Sequence, residues 1–394
     1  MNPVSIPVIA WARSPVAPVG GALSRLQPHE LAAPLVRALL AQAGLPAEAV
    51  DAVVLGNALG AGGNPARMLA LAAGLRESAA AYTVDTQCCA GLDAITLACG
   101  LLASGQARMV IAGGAEAWSR APIRQHRPLQ PQDPAIAYER PAFAPWPARD
   151  PDMLQAAADH AQRIQCQRVA QDAYALASHG RAVAARAALG AEIVALQGLD
   201  HDAYPRALRA ERVARMPVAA FAAVAQAPGG ADCAVSTVAI SPKADGAALL
   251  LLATPEACSA WGLRPAALWR GAVSVGGAPE TPMLCAATAA RALLERLALG
   301  VHDIDRWELH DAFAVQGLAF RAELGLAPER INAQGGGLAR GHPIGASGAI
   351  AAVRVLAQLQ AQTRGQNAGP QRGLACIAGA GGLGAAAIFE SLRA

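Results

Sequence analysis

The sequence predicts an α/β fold made of two similar βα halves related by a pseudo-twofold axis, with a large loop domain inserted in the first half. Three observations predict it. Short apolar runs that read as strands alternate with helical patterns toward both ends of the chain, the pattern of parallel βαβ units. Motifs of the first half recur in the second at a fixed offset. The recurrence is broken once, by a long stretch of different character.

Taken in order, Ser5 to Ala12 reads as a first strand. Leu31 to Ala43 is amphipathic, and Gly44-Leu45-Pro46 closes it as a helix stop. Asp51 to Leu55 reads as a strand, a Gly-rich turn follows, and a helix runs from about Pro65 to Leu75. Ala80 to Val84 reads as a short buried strand, and Leu92 to Leu102 has helical spacing in Leu92, Ile95, Leu97 and Leu101. Arg108 to Ala112 is a further strand. From Ala117 to about Val235 the pattern changes: a Pro-rich irregular segment, a largely helical stretch from Met153 to Leu189, and a candidate strand from Glu192 to Leu196. The apolar strand Ala247 to Ala253 restores the alternation.

Trp307-Glu308-Leu309-His310-Asp311-Ala312 repeats Val53-Val54-Leu55-Gly56-Asn57-Ala58 at an offset of 254, which also places Gly345 on Gly91 and His342 on Cys88. At an offset of 266, Ala375 to Gly379 falls on the strand near Val110, with Ile377 on Ile111. The step from Ile111 to Ala247 is 136 residues, whereas the equivalent step from Ile377 to Ala385 is 8, so about 128 residues are inserted. The expected organisation is a first half at 1–116, an inserted loop or lid at 117–242, a closing strand of the first half at 243–262, and a second half at 263–394.

Composition narrows the function classes. With 54% hydrophobic and 15% charged residues the chain is globular, not disordered. Its net charge of +3 comes with no basic run or aromatic-interleaved patch, which argues against nucleic acid. Eight cysteines show no CxxC pair and no Cys/His metal spacing, so no metal is expected and a reducing, cytoplasmic setting is. Met1 to Ala17 does not read as a secretory signal, and the apolar run Ala247 to Ala253 is too short to span a bilayer, so no membrane association is expected. Gly379-Ala380-Gly381-Gly382-Leu383-Gly384 fits GxGxxG, but only ten residues follow, too few for a dinucleotide site.

Four stretches carry candidate chemistry. Cys88 lies where a strand turns into a helix, with Ala90 and Gly91 letting backbone approach a ligand; a helix start favours thiolate. Glu308 to Phe313 ends a strand with His310. Asn332 to Gly348 is a Gly-rich loop containing Gly341-His342-Pro343. Cys376-Ile377-Ala378-Gly379 lies near the C-terminus. If the halves pack about a twofold axis, the equivalence of Cys88 and His342 brings them together.

On these motifs the whole chain resembles the thiolases, the acyl-CoA acetyltransferase family. The likeness lies in Cys88-Cys89-Ala90-Gly91-Leu92, His310 to Phe313, Gly341-His342-Pro343 and a C-terminal Cys-x-Gly-like run, with Asn64 to Arg67 and Gly113 to Pro122 beside them. The resemblance implies a layered αβαβα fold and reversible Claisen condensation or thiolysis of 3-oxoacyl-CoA. It implies Cys88 as the nucleophile that becomes an acyl-enzyme and His342 as its base. It implies Cys376 as the second acid/base, and a water held by His310 that forms one oxyanion site with His342. A second oxyanion site would use the backbone N–H groups of Cys88 and Ala378. Ser241, Met153, Ala312 and Phe313 would contact the pantetheine or acyl chain. Coenzyme A thioesters would be substrates, with no cofactor, and the chain would form a homodimer or homotetramer. This sequence departs from the family pattern in His310, in Ala378, and in Cys89-Ala90. A ketoacyl-synthase-like condensing enzyme and a non-catalytic, acyl-CoA-binding thiolase-like subunit remain alternatives.

Overall fold

Strands buried on both faces need helices on both sides, and that requirement sets the layering of this molecule. A computed structural model describes residues 5–60, 62–223, 232–363 and 370–392. Nine strands run through one sheet: β1 (Ile6–Arg13), β2 (Ala52–Gly56), β3 (Ala80–Val84), β4 (Met109–Ala117), β5 (Ala244–Ala253), β6 (Ala267–Gly276), β7 (Arg306–His310), β8 (Arg372–Gly379) and β9 (Leu383–Ser391). Their order is β7-β8-β9-β6-β1-β5-β4-β2-β3, with the two-residue strand Ala17–Pro18 attached to β5.

The two halves are visible in that order. In the first, β2 is parallel to β4, which is antiparallel to β5, which is antiparallel to β1. In the second, β7 is parallel to β8, then β9 and β6 follow antiparallel. The equivalent strands β1 and β6 join the halves by pairing antiparallel with each other.

Strand parity then divides the core. Leu250 and Leu252 of β5 face an inner cluster, and Leu249 and Leu251 an outer one. The outer faces are covered by α1 (Pro28–Ala43) and α2 (Pro65–Ala72) in the first half and by α6 (Cys285–Arg296) and α7 (Ala314–Leu324) in the second. The inner cluster holds α3 (Ala90–Ala103) and α8 (Ser347–Thr363) between the two sheet halves, giving five layers in the order αβαβα. Both middle helices are apolar nearly all round; α8 is buried along most of its described length, while α3 leaves Leu97 and Gly100 exposed. The window Ile344–Ala361 is long and apolar enough to cross a membrane, but 83% of it is buried inside the molecule.

The middle helices start against each other at backbone distance. A Cβ on Gly114 would lie 2.1 Å from the Gly345 carbonyl oxygen, one on Gly91 2.7 Å from the same atom, and one on Gly348 2.8 Å from Leu92 Cβ.

The segment 117–242 contains α4 (Met153–Arg163) and α5 (Arg168–Ala184). It docks through α5, whose Tyr174 hydroxyl donates to Asp311 at 2.7 Å. A second anchor is buried: Arg13 of β1 meets Glu192 at 2.5 Å and Asp202 at 2.7 Å, and Arg354 of α8 binds Glu192 as well. Glu192 to Leu196 is not a strand. It makes two isolated bridges, Ile193 with Arg13 and Leu196 with Leu199, while the Glu192 carboxylate binds the two arginines.

The register corrects one equivalence. Trp307 pairs Leu374, and Val53 pairs Ile111, so Leu374 and not Ile377 is the partner of Ile111 in the repeat. The shift of three residues is odd and exchanges faces: Ile111 lies in an outer cluster and Ile377 in the inner one.

Candidate active site

Cys88 stands on a five-residue link between β3 and α3. Gln87 before it has φ +55°, in the left-handed region, and its N–H is held by Asp85 Oδ1 at 2.9 Å. A non-glycine residue in that region is uncommon and costs about 1–3 kcal/mol, so surrounding structure must enforce it. Gly56 of β2 supplies the space: a Cβ there would lie 2.4 Å from the Gly91 nitrogen.

The second half delivers His342 to this link. Its Nε2 lies 3.3 Å from Cys88 Sγ, across 254 residues of sequence. Its N–H donates to the Pro242 carbonyl at 2.7 Å, and its carbonyl accepts from Trp118 Nε1 at 3.0 Å. Ser347 fixes the ring. The Ser347 hydroxyl donates to the Pro343 carbonyl at 3.0 Å, so toward His342 Nδ1, 2.7 Å away, it can only accept. The imidazole therefore carries its proton on Nδ1 and turns the Nε2 lone pair to the Cys88 thiol. Sequence reading quoted Ser347 but gave it no role; its place five residues after His342, at the first turn of a helix, was the available signal.

Burial pushes the Cys88 thiol up to about 11, despite the lowering effect of the N–H groups of Ala380 and of Cys88 itself. Burial also lowers His342 to about 4. The resting pair is thiol and neutral imidazole. The expectation that a helix start favours thiolate fails here because desolvation outweighs the backbone donors. His310 stacks on His342 with ring centroids 4.3 Å apart. Burial, then His342 and Arg340, hold it well below the usual range, and its Nε2 is buried with no partner.

The two remaining sequence assignments change. Cys376 is completely buried in the outer cluster beside Leu309, Leu374 and Ile388, with its thiol 3.7 Å from the Glu308 carbonyl. It does not line the cavity that holds Cys88. It sits three residues before the end of β8, at about 3.3 Å per residue, too deep in the strand to reach the site. Ala378 lines the cavity, but the backbone N–H that faces Cys88 Sγ is that of Ala380, so the N–H assigned to Ala378 moves two residues along the chain.

The cavity measures about 310 Å³. Cys88 and His342 line it together with Ser241, Met153, Ala312 and Phe313, all four expected from the sequence to contact substrate. Ser241 donates to the Gly337 carbonyl at 2.7 Å, and its N–H to the Ala312 carbonyl at 2.8 Å, so it also ties the segment 117–242 to the second half. Glu116, which sequence reading quoted without a role, braces the loops around Cys88 and His342. Its carboxylate accepts from Asn57 Nδ2 at 2.7 Å, Ala58 N at 2.8 Å and Gly345 N at 3.0 Å, pinning the loop after β2 to the loop carrying His342. Burial raises its carboxyl to about 7. Among the described residues no group of three His, Cys, Asp or Glu side chains is placed to hold a metal ion.

This arrangement is matched in known proteins. The profile of the thiolase N-terminal domain matches residues 6–256, and that of the thiolase C-terminal domain residues 263–391. A Bacillus subtilis protein named "Putative acetyl-CoA C-acetyltransferase YhfS" is 37% identical, over 94% of this chain and 95% of its own. A Staphylococcus haemolyticus protein named "Putative acetyl-CoA C-acetyltransferase VraB" is 35% identical, over 98% and 99%. The crystal structure of the Bacillus anthracis acetyl-CoA acetyltransferase superposes with a TM-score of 0.86 at 30% identity, covering 99% of this chain and 100% of that one. The Acat5 thiolase from Ascaris suum, solved in complex with coenzyme A, gives 0.88 at 28% identity, covering 99% and 100%. With both domain profiles met end to end, and relatives above 30% identity along nearly the whole chain, this protein belongs to the thiolase family.

Proposed function

We propose that this chain is an acyltransferase acting on coenzyme A thioesters through an acyl-enzyme on Cys88. The observation that carries the reading is the 3.3 Å contact between Cys88 Sγ and His342 Nε2 at the wall of a cavity. As the thiol attacks a thioester carbonyl, His342 takes its proton and passes it to the departing coenzyme A thiolate. A neutral resting pair suits this exchange, because charge develops only as the substrate arrives. The N–H groups of Cys88 and Ala380 would stabilise the carbonyl oxygen as it gains charge. His310, whose unpaired Nε2 is buried beside His342, would hold a water or a second thioester oxygen. Ser241, Met153, Ala312 and Phe313 would line the path of the pantetheine and acyl groups.

A second copy of the chain is the expected partner. The outer edge of β3 is unpaired, Tyr82 on it is 47% exposed, and Met68, Leu71 and Leu97 are exposed as well. Such an edge invites strand pairing.

The test is labelling with acetyl-CoA carrying radiocarbon in the acetyl group. One equivalent of label should attach per chain, with matching release of free coenzyme A, and Cys88→Ala should abolish both. Label that persists in Cys88→Ala would overturn the reading, and the absence of label in the native chain would favour a subunit that only binds acyl-CoA.

A further inference from the structure

The cavity lining offers one acid/base pair for thioester chemistry, Cys88 and His342. Beside them the wall includes Ala378 and Ala380, whose methyl groups can neither give nor take a proton. Cys376, the thiol that sequence reading placed there, is sealed in the outer core. The other titratable side chains of the lining are accounted for. Arg140 is paired with Asp150, and Arg124 donates to the Leu59 carbonyl at 2.6 Å. Asp152 caps α4 through Leu154 N, and Glu139 is exposed at the mouth. Lys243 lies over the Trp118 ring, 4.5 Å from its centroid.

Joining an acyl group to the C2 carbon of a second thioester needs an electron pair on that carbon. One source is removal of a C2 proton by a base of suitable strength; a base far weaker than the carbon acid gains little. The bases at hand are His342, which lines the cavity, and His310, which stacks on it from outside the lining, both weakened by burial. The other source is a C2–carboxylate bond, which yields the same pair when carbon dioxide leaves and requires no base. What that route needs is a hydrogen-bond donor for the developing enolate oxygen, and the candidate is His310, which lies outside the lining but stacks on the lining His342 and has a buried Nε2 with no partner.

We propose that this chain forms carbon–carbon bonds by decarboxylative condensation, taking a 2-carboxyacyl thioester of the malonyl-CoA class as its carbon nucleophile. The proposal rests on the Cys88 acyl-enzyme reading. In the step, the electron pair of the C2–carboxylate bond becomes the new bond from C2 to the acyl carbon. The acyl–sulfur bond breaks, its pair goes to Cys88, and the thiolate takes one proton. Acyl-Cys88, a carboxyacyl-CoA anion and a proton thus become 3-oxoacyl-CoA, carbon dioxide and free Cys88.

The experiment gives the purified full chain acetyl-CoA and malonyl-CoA labelled in its carboxyl carbon, and follows labelled carbon dioxide and 3-oxoacyl-CoA. In parallel it follows acetoacetyl-CoA loss with free coenzyme A, and deuterium entry at C2 of acetyl-CoA in heavy water. Carbon dioxide and product should appear in equal amounts, at least about 100-fold faster than either parallel reaction, the low end of what a positioned acid/base contributes. Cys376→Ala should retain the activity. Acetoacetyl-CoA thiolysis faster than decarboxylation, or loss of condensation in a folded Cys376→Ala, would overturn the proposal. If Cys88 acquires the acetyl label but no carbon dioxide is released, this proposal alone falls; if Cys88 acquires no label, the acyl-enzyme reading falls first.

Discussion

Ser347→Ala isolates the tautomer of His342. Ser347 is 1% exposed, lies outside the cavity lining, and touches the reaction only through Nδ1 of the imidazole. Removing its hydroxyl leaves a buried Nδ1–H without a partner, which costs about 1–3 kcal/mol. The ring escapes that cost by moving its proton to Nε2, where it points at Cys88 Sγ and blocks the acceptance of the thiol proton. The productive tautomer then lies about 1–3 kcal/mol uphill, which slows Cys88 acylation about 5- to 150-fold. The assay is rapid-quench acylation by labelled acetyl-CoA under single-turnover conditions, with thioester affinity measured alongside. Affinity should change little and the acylation rate should fall. Ser347→Thr, which keeps the hydroxyl, should recover most of the rate. A Ser347→Ala protein that acylates within about twofold of the native rate would refute the tautomer argument, since a tenfold change needs only about 1.4 kcal/mol.

Three further outcomes follow from the same geometry. Iodoacetamide should alkylate Cys88 slowly at neutral pH and about tenfold faster per pH unit up to the region of its raised pKa, about 11; a plateau below pH 8 would mean a stabilised thiolate. Glu116 titrates at about 7 in the folded chain against the ordinary value of 4.5. Between those values the folded state holds a proton that the unfolded state has lost, so the group's stability contribution is full below about pH 4.5 and declines as pH rises through 7, by about 3 kcal/mol. Urea unfolding at pH 5 and pH 8 should show a decline that Glu116→Gln flattens; an unchanged slope would contradict the assignment. Arg13→Met should destabilise the fold by about 3–5 kcal/mol, because it leaves Glu192 and Asp202 buried with one partner fewer, and chemical denaturation would measure it.

The duplicated architecture and the Cys88–His342 pair could be read from the sequence because both rest on spacing: one offset aligned two helix starts, and a twofold axis made them neighbours. Cys376, assigned its role from the resemblance to a Cys-x-Gly run, shows where a motif match stops informing. A strand's period of two tells which residues share a face but not how far along the strand a side chain must lie to reach a cavity. Cys376 and Ala378 share the face, and only Ala378 is far enough along. The offset of 266 was a separate error, since the pairing requires 263 and an odd slip exchanges inside for outside. The thiolate expectation failed differently: a helix start is legible in sequence, whereas desolvation depends on atoms brought in from the other half. Ser347 and Glu116 were legible as residues but not as partners, because their hydrogen bonds depend on loops that meet only in the folded chain.

The glycines at the crossing of α3 and α8 bear on how this chain can diverge. A methyl group on Gly91 or Gly114 would press on the Gly345 carbonyl, and one on Gly348 on Leu92, so relief has to come from moving one half relative to the other. That same displacement lengthens the contact between Cys88 and His342. Drift in the rim, the inserted segment or the Ala378–Ala380 wall can retune what the cavity accepts, while the crossing admits almost no variation. Selection can therefore remodel this protein's chemistry far more readily than the seam on which that chemistry depends.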